Sequence, residues 1–185
     1  MTDHEERFRS VYAGDFDALL AYALRRVDQP ADAADVVADT FLVAWRRRHE
    51  LPGGSEARLW LYGVARRVLA NTNRGVLRRE RLGARLRQRL TDTFAGEPGG
   101  EVVEQLTVQA VLNRLGELDR EVLMLTIWED LEPRDVAAVL GVSPGVVRTR
   151  LSRARGRLRD LAGDAAGPAG HVLDVLTTPT PKEGR

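Results

Sequence analysis

LEPRDVAAVLGVSPGVVRTRLSRARGRL, residues Leu131–Leu158, is the stretch that decides the fold. Ala137, Gly141 and Val147 stand at relative positions 0, +4 and +10, the spacing that two helices crossing through a tight turn require. Ala137 is small where the helices come closest. Gly141 can take the positive φ that ends the first helix, and Val147 faces back into the pair. Ser143 is a good N-cap and Pro144 follows at the first helical position, so the second helix has a clear start. Val147, Leu151, Ala154 and Leu158 then recur at helical spacing as one inward stripe. Between them lie Arg148, Arg150, Arg153, Arg155, Arg157 and Arg159. An apolar stripe with arginine elsewhere, on the second helix of a helix-turn-helix, fits the major groove of DNA. An arginine-rich helix that is merely solvated would not need this turn chemistry.

The rest of the chain sets bounds on what such a motif can belong to. With 185 residues it suits one or two small domains. Apolar residues make up 43% but aromatic ones only 5%, so Leu, Val and Ala must fill most of the core. The absence of cysteine excludes disulfides and thiolate metal sites. His4, His49 and His171 stand apart and form no ligand cluster, so no metal and no cofactor is expected. The start, MTDHEERFRS, is charged, with no sign of a secretory leader, and no apolar run reaches the roughly 18 residues of a membrane span. A cytoplasmic protein is expected. No strand pattern or repeat occurs, so the expected class is all-α.

The formal net charge of +1 conceals strong alternation. Residues 1–55 carry −3, residues 56–90 carry +8, residues 91–135 carry −8, residues 136–161 carry +5 and residues 162–185 carry −1. Charges are screened beyond about 8–10 Å in physiological salt, so local patches decide what DNA meets. Two basic segments separated by an acidic one suggest a binder with two separate hands.

Breakers divide the chain accordingly. TDTFAGEPGGEVV (Thr91–Val103) contains Gly96, Pro98, Gly99 and Gly100 without helical period and reads as a flexible linker. Two small helical domains are expected around it, residues 1–90 and 104–161, with residues 162–185 as a disordered tail. In the first domain, Phe16, Leu19, Leu20, Ala23, Leu24 and Val27 give one helix. A second, at about residues 31–48, buries Val36, Val37, Thr40, Phe41, Ala44 and Trp45. Its other face carries Asp28 or Asp32, then Asp35, Asp39, Leu42 and Arg46, either merely solvated or a dock for a basic partner helix. A third, at about residues 56–74, has a core face of Leu61, Val64, Ala65, Val68, Leu69 and Thr72. Trp60, Gly63, Arg67, Asn71 and Arg74 line its opposite side. An aromatic ring, arginines and an amide on one face suit an unstacked base with its phosphates, stacking being worth roughly 1–3 kcal/mol per base. A lone Trp is as readily a core residue.

Over roughly residues 5–160 the chain resembles the extracytoplasmic-function (ECF) sigma factors of bacterial RNA polymerase. DAADVVADTFLVAWRRR (Asp32–Arg48) resembles the core helix of sigma region 2, and ARLWLYGVARRVLANTNR (Ala57–Arg74) resembles its promoter-melting helix. LNRLGELDREVLMLTIWEDLEPRDVAAVLGVSPGVVRTRLSRAR (Leu112–Arg155) resembles region 4. The resemblance implies core RNA polymerase, promoter DNA and an anti-sigma factor as partners. It implies polymerase contacts for Asp35, Asp39, Phe41 and Leu42. Trp60, Arg67, Asn71 and Arg74 would meet the minus-ten element, and Arg148, Thr149, Ser152 and Arg153 the minus-thirty-five element. The chain departs from the family pattern at Ala38, where Gln is frequent, at Arg67, where Asn is frequent, and at Asp130 and Glu132, where Gly and Ser are common.

Two rival readings come from other classes. A helix-turn-helix regulator acting without polymerase would usually dimerise on a palindrome, and no dimerisation helix stands out. A nuclease or deaminase would need a metal-ligand or general-base cluster, and the H-x-E…C-x-x-C pattern is absent.

Overall fold

The computed structural model describes residues 2–72 and 112–163, with side chains of the last helix through residue 160. The chain divides into two compact units, residues 1–100 and 101–185. All regular structure among the described residues is helical. The linker expected at residues 91–103, the basic extension after the third helix, Arg74 and nearly all of the expected tail lie outside the described residues.

Unit 1 contains α1 (Asp3–Leu24), α2 (Pro30–Arg46) and α3 (residues 55–72). Helix α1 begins well before the apolar period at Phe16, because its start is set by capping chemistry. The Thr2 N–H donates to the Glu5 carboxylate at 3.2 Å, and Asp3, Glu5 and Glu6 place negative charge in the first turn. Val11, Leu19, Tyr22 and Ala23 are its buried residues. Leu24 is exposed and Val27 lies beyond the helix end, so the helix stops short of the last position of the apolar period.

Helix α2 starts with Pro30 in its first turn, where the missing N–H costs nothing. It buries Ala33, Val36, Val37, Thr40, Phe41 and Ala44 against α1. The Thr40 hydroxyl donates to the Val36 carbonyl at 2.6 Å, which satisfies its polar group inside the core. Trp45, expected to be buried, is 41% exposed. It sits at the rim, its ring edge against Phe8 at 5.1 Å and the Arg48 guanidinium 4.8 Å from the ring centre. The connection to α3 is pinned by buried Leu51, whose carbonyl accepts from Arg7 at 3.2 Å, and turns at Gly54 with φ +61°.

Helix α3 buries Ala57, Leu61, Tyr62, Val64, Ala65 and Leu69. Val68 is half-buried and Thr72 exposed, so the core face ends sooner than the pattern predicts. Tyr62, which the periodicity does not place inside, stacks on Tyr22 with ring centres 4.8 Å apart. An ion pair of 2.7 Å between Asp15 and Arg58 ties α1 to α3.

Unit 2 contains α4 (Glu117–Ile127), α5 (Pro133–Leu140) and α6 (Pro144–Gly163). Both α4 and α5 pack on α6. Val147, Leu151, Ala154 and Leu158 are buried, together with Val122, Leu123, Met124, Leu125, Val136, Ala137 and Val139. The α5–α6 turn forms as the motif requires. Gly141 has φ +67° and ψ 36°, and the Gly141 and Val142 N–H groups both donate to the Ala137 carbonyl. Ser143 Oγ accepts from the Val146 N–H at 3.4 Å, capping α6.

Asp130, in the turn between α4 and α5, has φ +51° and is the one non-glycine residue with positive φ among those described. A Cβ in that region crowds the following carbonyl, which is why glycine favours it. Asp130→Gly is expected to stabilise unit 2 by about 0.5–1 kcal/mol, less than the full left-handed penalty because Asp tolerates it and glycine loses more entropy. Thermal unfolding followed by circular dichroism would show a melting point a few degrees higher; an unchanged or lower one contradicts the strain.

Candidate functional site

Arg148, Thr149, Ser152 and Arg153 lie at 0, +1, +4 and +5 along α6, on the side opposite its buried stripe, and all four are exposed. Thr149 Oγ1 donates to the Gly145 carbonyl at 3.0 Å, leaving its oxygen to accept from outside. Neither Arg148 nor Arg153 has an ion-pair partner among the described residues. A helix offering two unpaired guanidinium forks and two hydroxyls on one face can read base edges and phosphates together.

The other arginines of α6 do not share one role. Arg150 donates to Asp119 Oδ1 at 2.8 Å, and Arg157 donates to Asp119 Oδ2 at 3.2 Å. Asp119, on α4, is 6% exposed, and one carboxylate thus spans two turns of the neighbouring helix. Sequence periodicity counts Arg150 and Arg157 with the basic surface, and it gives no sign of their shared partner on another helix. The only local hint was an acid in the first turn of α4, where acids are common for capping reasons alone.

In unit 1, Asp32, Asp35, Asp39, Leu42 and Arg46 form one exposed face of α2, turned away from the core. Neither Asp35 nor Asp39 has an ion-pair partner among the described residues. Leu42 is 44% exposed and sits in the same stripe. Phe41 does not belong to this surface. It is 5% exposed, with its ring centre 4.6 Å from that of Tyr12, 6.2 Å from Phe16 and 6.3 Å from Phe8. Its assignment as a direct partner contact is corrected accordingly: it supports the face from beneath.

Trp60 opens the second surface of unit 1. It is half-buried near the start of α3, with the Arg47 guanidinium 5.5 Å from its ring centre. Arg47 also donates from Nε to Glu50 at 3.1 Å, and this hydrogen bond holds the Glu50 carboxyl below its usual range. One face of the indole is thereby covered by a fixed cation, an arrangement worth about 0.5–1 kcal/mol at an exposed site. Arg67 and Asn71 are exposed further along the helix, and Arg67 Nε donates to the Gly63 carbonyl at 2.9 Å. Gly63 itself is buried, so it spaces this surface and offers no contact.

Residues 16–80 match the family described as Sigma-70 region 2, and residues 105–158 match Sigma-70, region 4. The chain is 36% identical to the RNA polymerase sigma factor CnrH of Cupriavidus metallidurans, covering 77% of this chain and 80% of that one. It is 30% identical to the RNA polymerase sigma-E factor of Streptomyces avermitilis, covering 78% of each, and 27% identical to the ECF RNA polymerase sigma factor SigL of Mycobacterium tuberculosis. The chain belongs to the ECF sigma factors. Among solved structures it is similar to CnrH in complex with the cytosolic domain of CnrY, with a TM-score of 0.61 at 27% identity over 86% of this chain and 89% of that one. It is likewise similar to the sigma factor RpoE in complex with the anti-sigma factor NepR from Bartonella quintana, at TM-score 0.57 and 25% identity, over 86% and 98%. No described helix is long and apolar enough to cross a membrane.

The contrast between neighbours on α2 is measurable. Phe41→Ala should cost about 3–5 kcal/mol in chemical unfolding, as for other buried aromatic truncations. Leu42→Ala, one residue on but largely in solvent, should stay within about 0.5 kcal/mol. Equal costs at the two positions would contradict the split between core and surface.

Proposed function

We propose that this ECF sigma factor binds core RNA polymerase through unit 1, directs it to promoters carrying two elements, and helps to open the minus-ten element. The observation that carries this reading is the pairing of a region 2 unit, whose Asp35 and Asp39 have no ion-pair partner among the described residues, with a region 4 unit that exposes Arg148, Thr149, Ser152 and Arg153 on one helix face. In this reading Asp35, Asp39 and Leu42 dock a basic helical element of the polymerase, with Phe41 as their support. Trp60, Arg67 and Asn71, with Arg74 beyond the described residues, meet the unpaired strand of the minus-ten element. In this reading the half-buried indole, with the Arg47 guanidinium near its ring, stacks on a base. Arg148, Thr149, Ser152 and Arg153 read the minus-thirty-five element.

The protein acts without catalysis, in the cytoplasm, and supplies binding energy at two places. Each basic surface alone binds DNA with a dissociation constant of roughly 10⁻⁴–10⁻⁶ M, the range of non-specific electrostatic binding. Held on one polymerase, the second contact forms at high effective concentration, so two weak sites act as one strong one. An anti-sigma factor, such as those found with relatives, regulates it by covering the surfaces that polymerase needs.

Gel filtration with core polymerase and no DNA tests the first claim. The sigma reading requires co-migration, whereas a polymerase-independent operator binder would elute alone. Asp35→Arg together with Asp39→Arg should abolish co-migration while leaving the circular dichroism unchanged, since both side chains are in solvent. Undiminished association of the folded double variant would overturn the docking face.

Arg148→Ala and Arg153→Ala address the upstream element. Each should lose about 1–3 kcal/mol of promoter binding and relax selectivity only at that element if its fork reads a guanine. A uniform loss across sequences would assign them to phosphates instead.

A further inference from the structure

Six arginines on a DNA-facing helix invite the conclusion that all six add to affinity, but the ion pairs of unit 2 divide them. Arg150 and Arg157 share the Asp119 carboxylate, at 2.8 Å and 3.2 Å. Asp119 is 6% exposed, whereas the Arg150 and Arg157 side chains are 36% and 58% exposed. The acid is therefore fixed inside the unit, while both cations border solvent, Arg157 more than Arg150, whose Nε is itself buried. On the helix they flank the face formed by Arg148, Thr149, Ser152 and Arg153, on the side where a groove wall would bring phosphates. Untethered, the Arg157 guanidinium, 58% exposed, has solvent to swing into, and the outer part of Arg150 borders it too.

We propose that Asp119 is a specificity-setting positioning residue, which withdraws Arg150 and Arg157 from the DNA backbone and so keeps the sequence-independent affinity of α6 low. Phosphate contacts carry no sequence information, while base contacts supply discrimination. Each additional phosphate contact strengthens binding to every site alike, so removing two of them raises the share of binding that depends on sequence. The same bridge fixes the rotation of α6 against α4, which holds the four reading residues outward. The inference rests on α6 being the DNA-recognition helix, as proposed above.

Salt dependence of binding to a random-sequence duplex, measured on the full chain by fluorescence anisotropy, tests it. Each phosphate contact steepens the slope of log K against log salt by about 0.9. Asp119→Asn keeps the shape of the side chain and removes its charge, so it should bind more tightly at low salt, with a slope steeper by up to about 1.8. Between about 50 and 200 mM salt its affinity should then fall up to about 12-fold more than that of the parent. Adding Arg150→Gln and Arg157→Gln to that variant should return the slope to the parental value, a rescue that a purely structural role of Asp119 would not produce.

Arg157→Gln alone, at a half-exposed position where folding is not at stake, should leave the parental slope unchanged, because that arginine is already withdrawn. A slope shallower by about 0.9 in Arg157→Gln would overturn the proposal, as would an unchanged slope in folded Asp119→Asn. If the parent chain itself shows no salt-dependent binding, the DNA reading of α6 fails, and the inference fails with it.

Discussion

The rotation of α6 about its own axis governs what unit 2 shows to solvent. Val147, Leu151, Ala154 and Leu158 anchor one side of that helix in a core built with α4 and α5, which turns residues 148, 149, 152 and 153 outward. A helix held only by small and branched apolar side chains could settle at slightly different angles, since such contacts have little direction. The Asp119 bridge supplies the missing direction. A buried carboxylate left alone would cost several kcal/mol in desolvation, and two guanidinium hydrogen bonds offset that cost only in one narrow arrangement. The turn at Gly141 and the cap at Ser143 complete the constraint by fixing where α6 begins.

Unit 1 solves a related problem by other means. Only 5% of the chain is aromatic, yet Phe8, Tyr12, Phe16, Phe41 and Trp45 gather where α1 meets α2. Edge and tilted ring contacts are directional, each worth about 0.5–1.5 kcal/mol beyond burial. They set the azimuth of α2 and so keep Asp35 and Asp39 on an outer face, where neither has an ion-pair partner among the described residues. In both units, then, one directional set of contacts holds a helix so that charged residues stay available to a partner. The difference lies in their currency, π-faces in unit 1 and an ion-pair fork in unit 2.

The alternation of charge along the chain acquires meaning at this level. The acidic face of α2 and the basic face of α6 belong to separate compact units, although the net charge of the chain is only +1. Within unit 2 the acidic α4 does more than balance the sum. Its most buried acid, Asp119, pairs with two arginines of α6, which makes the effective charge of the helix smaller than its composition indicates.

Much of this was legible in the chain itself. The helix-turn-helix could be read because its determinants are local: Ala137, Gly141, Ser143 and Pro144 each act within a few residues, and the structure shows each of them at work. The inward stripe of α6 and the outer acidic stripe of α2 follow from the helical period alone. The periodic reading failed where neighbours on other helices decide. Trp45 lies at a rim that no periodicity marks, Tyr62 is buried by Tyr22, and Arg150 and Arg157 are claimed by Asp119, some thirty residues earlier. Local order is encoded by dihedral preference and spacing along one helix. Which side chains remain free to meet a partner depends on contacts between helices, and those are set only when the helices pack.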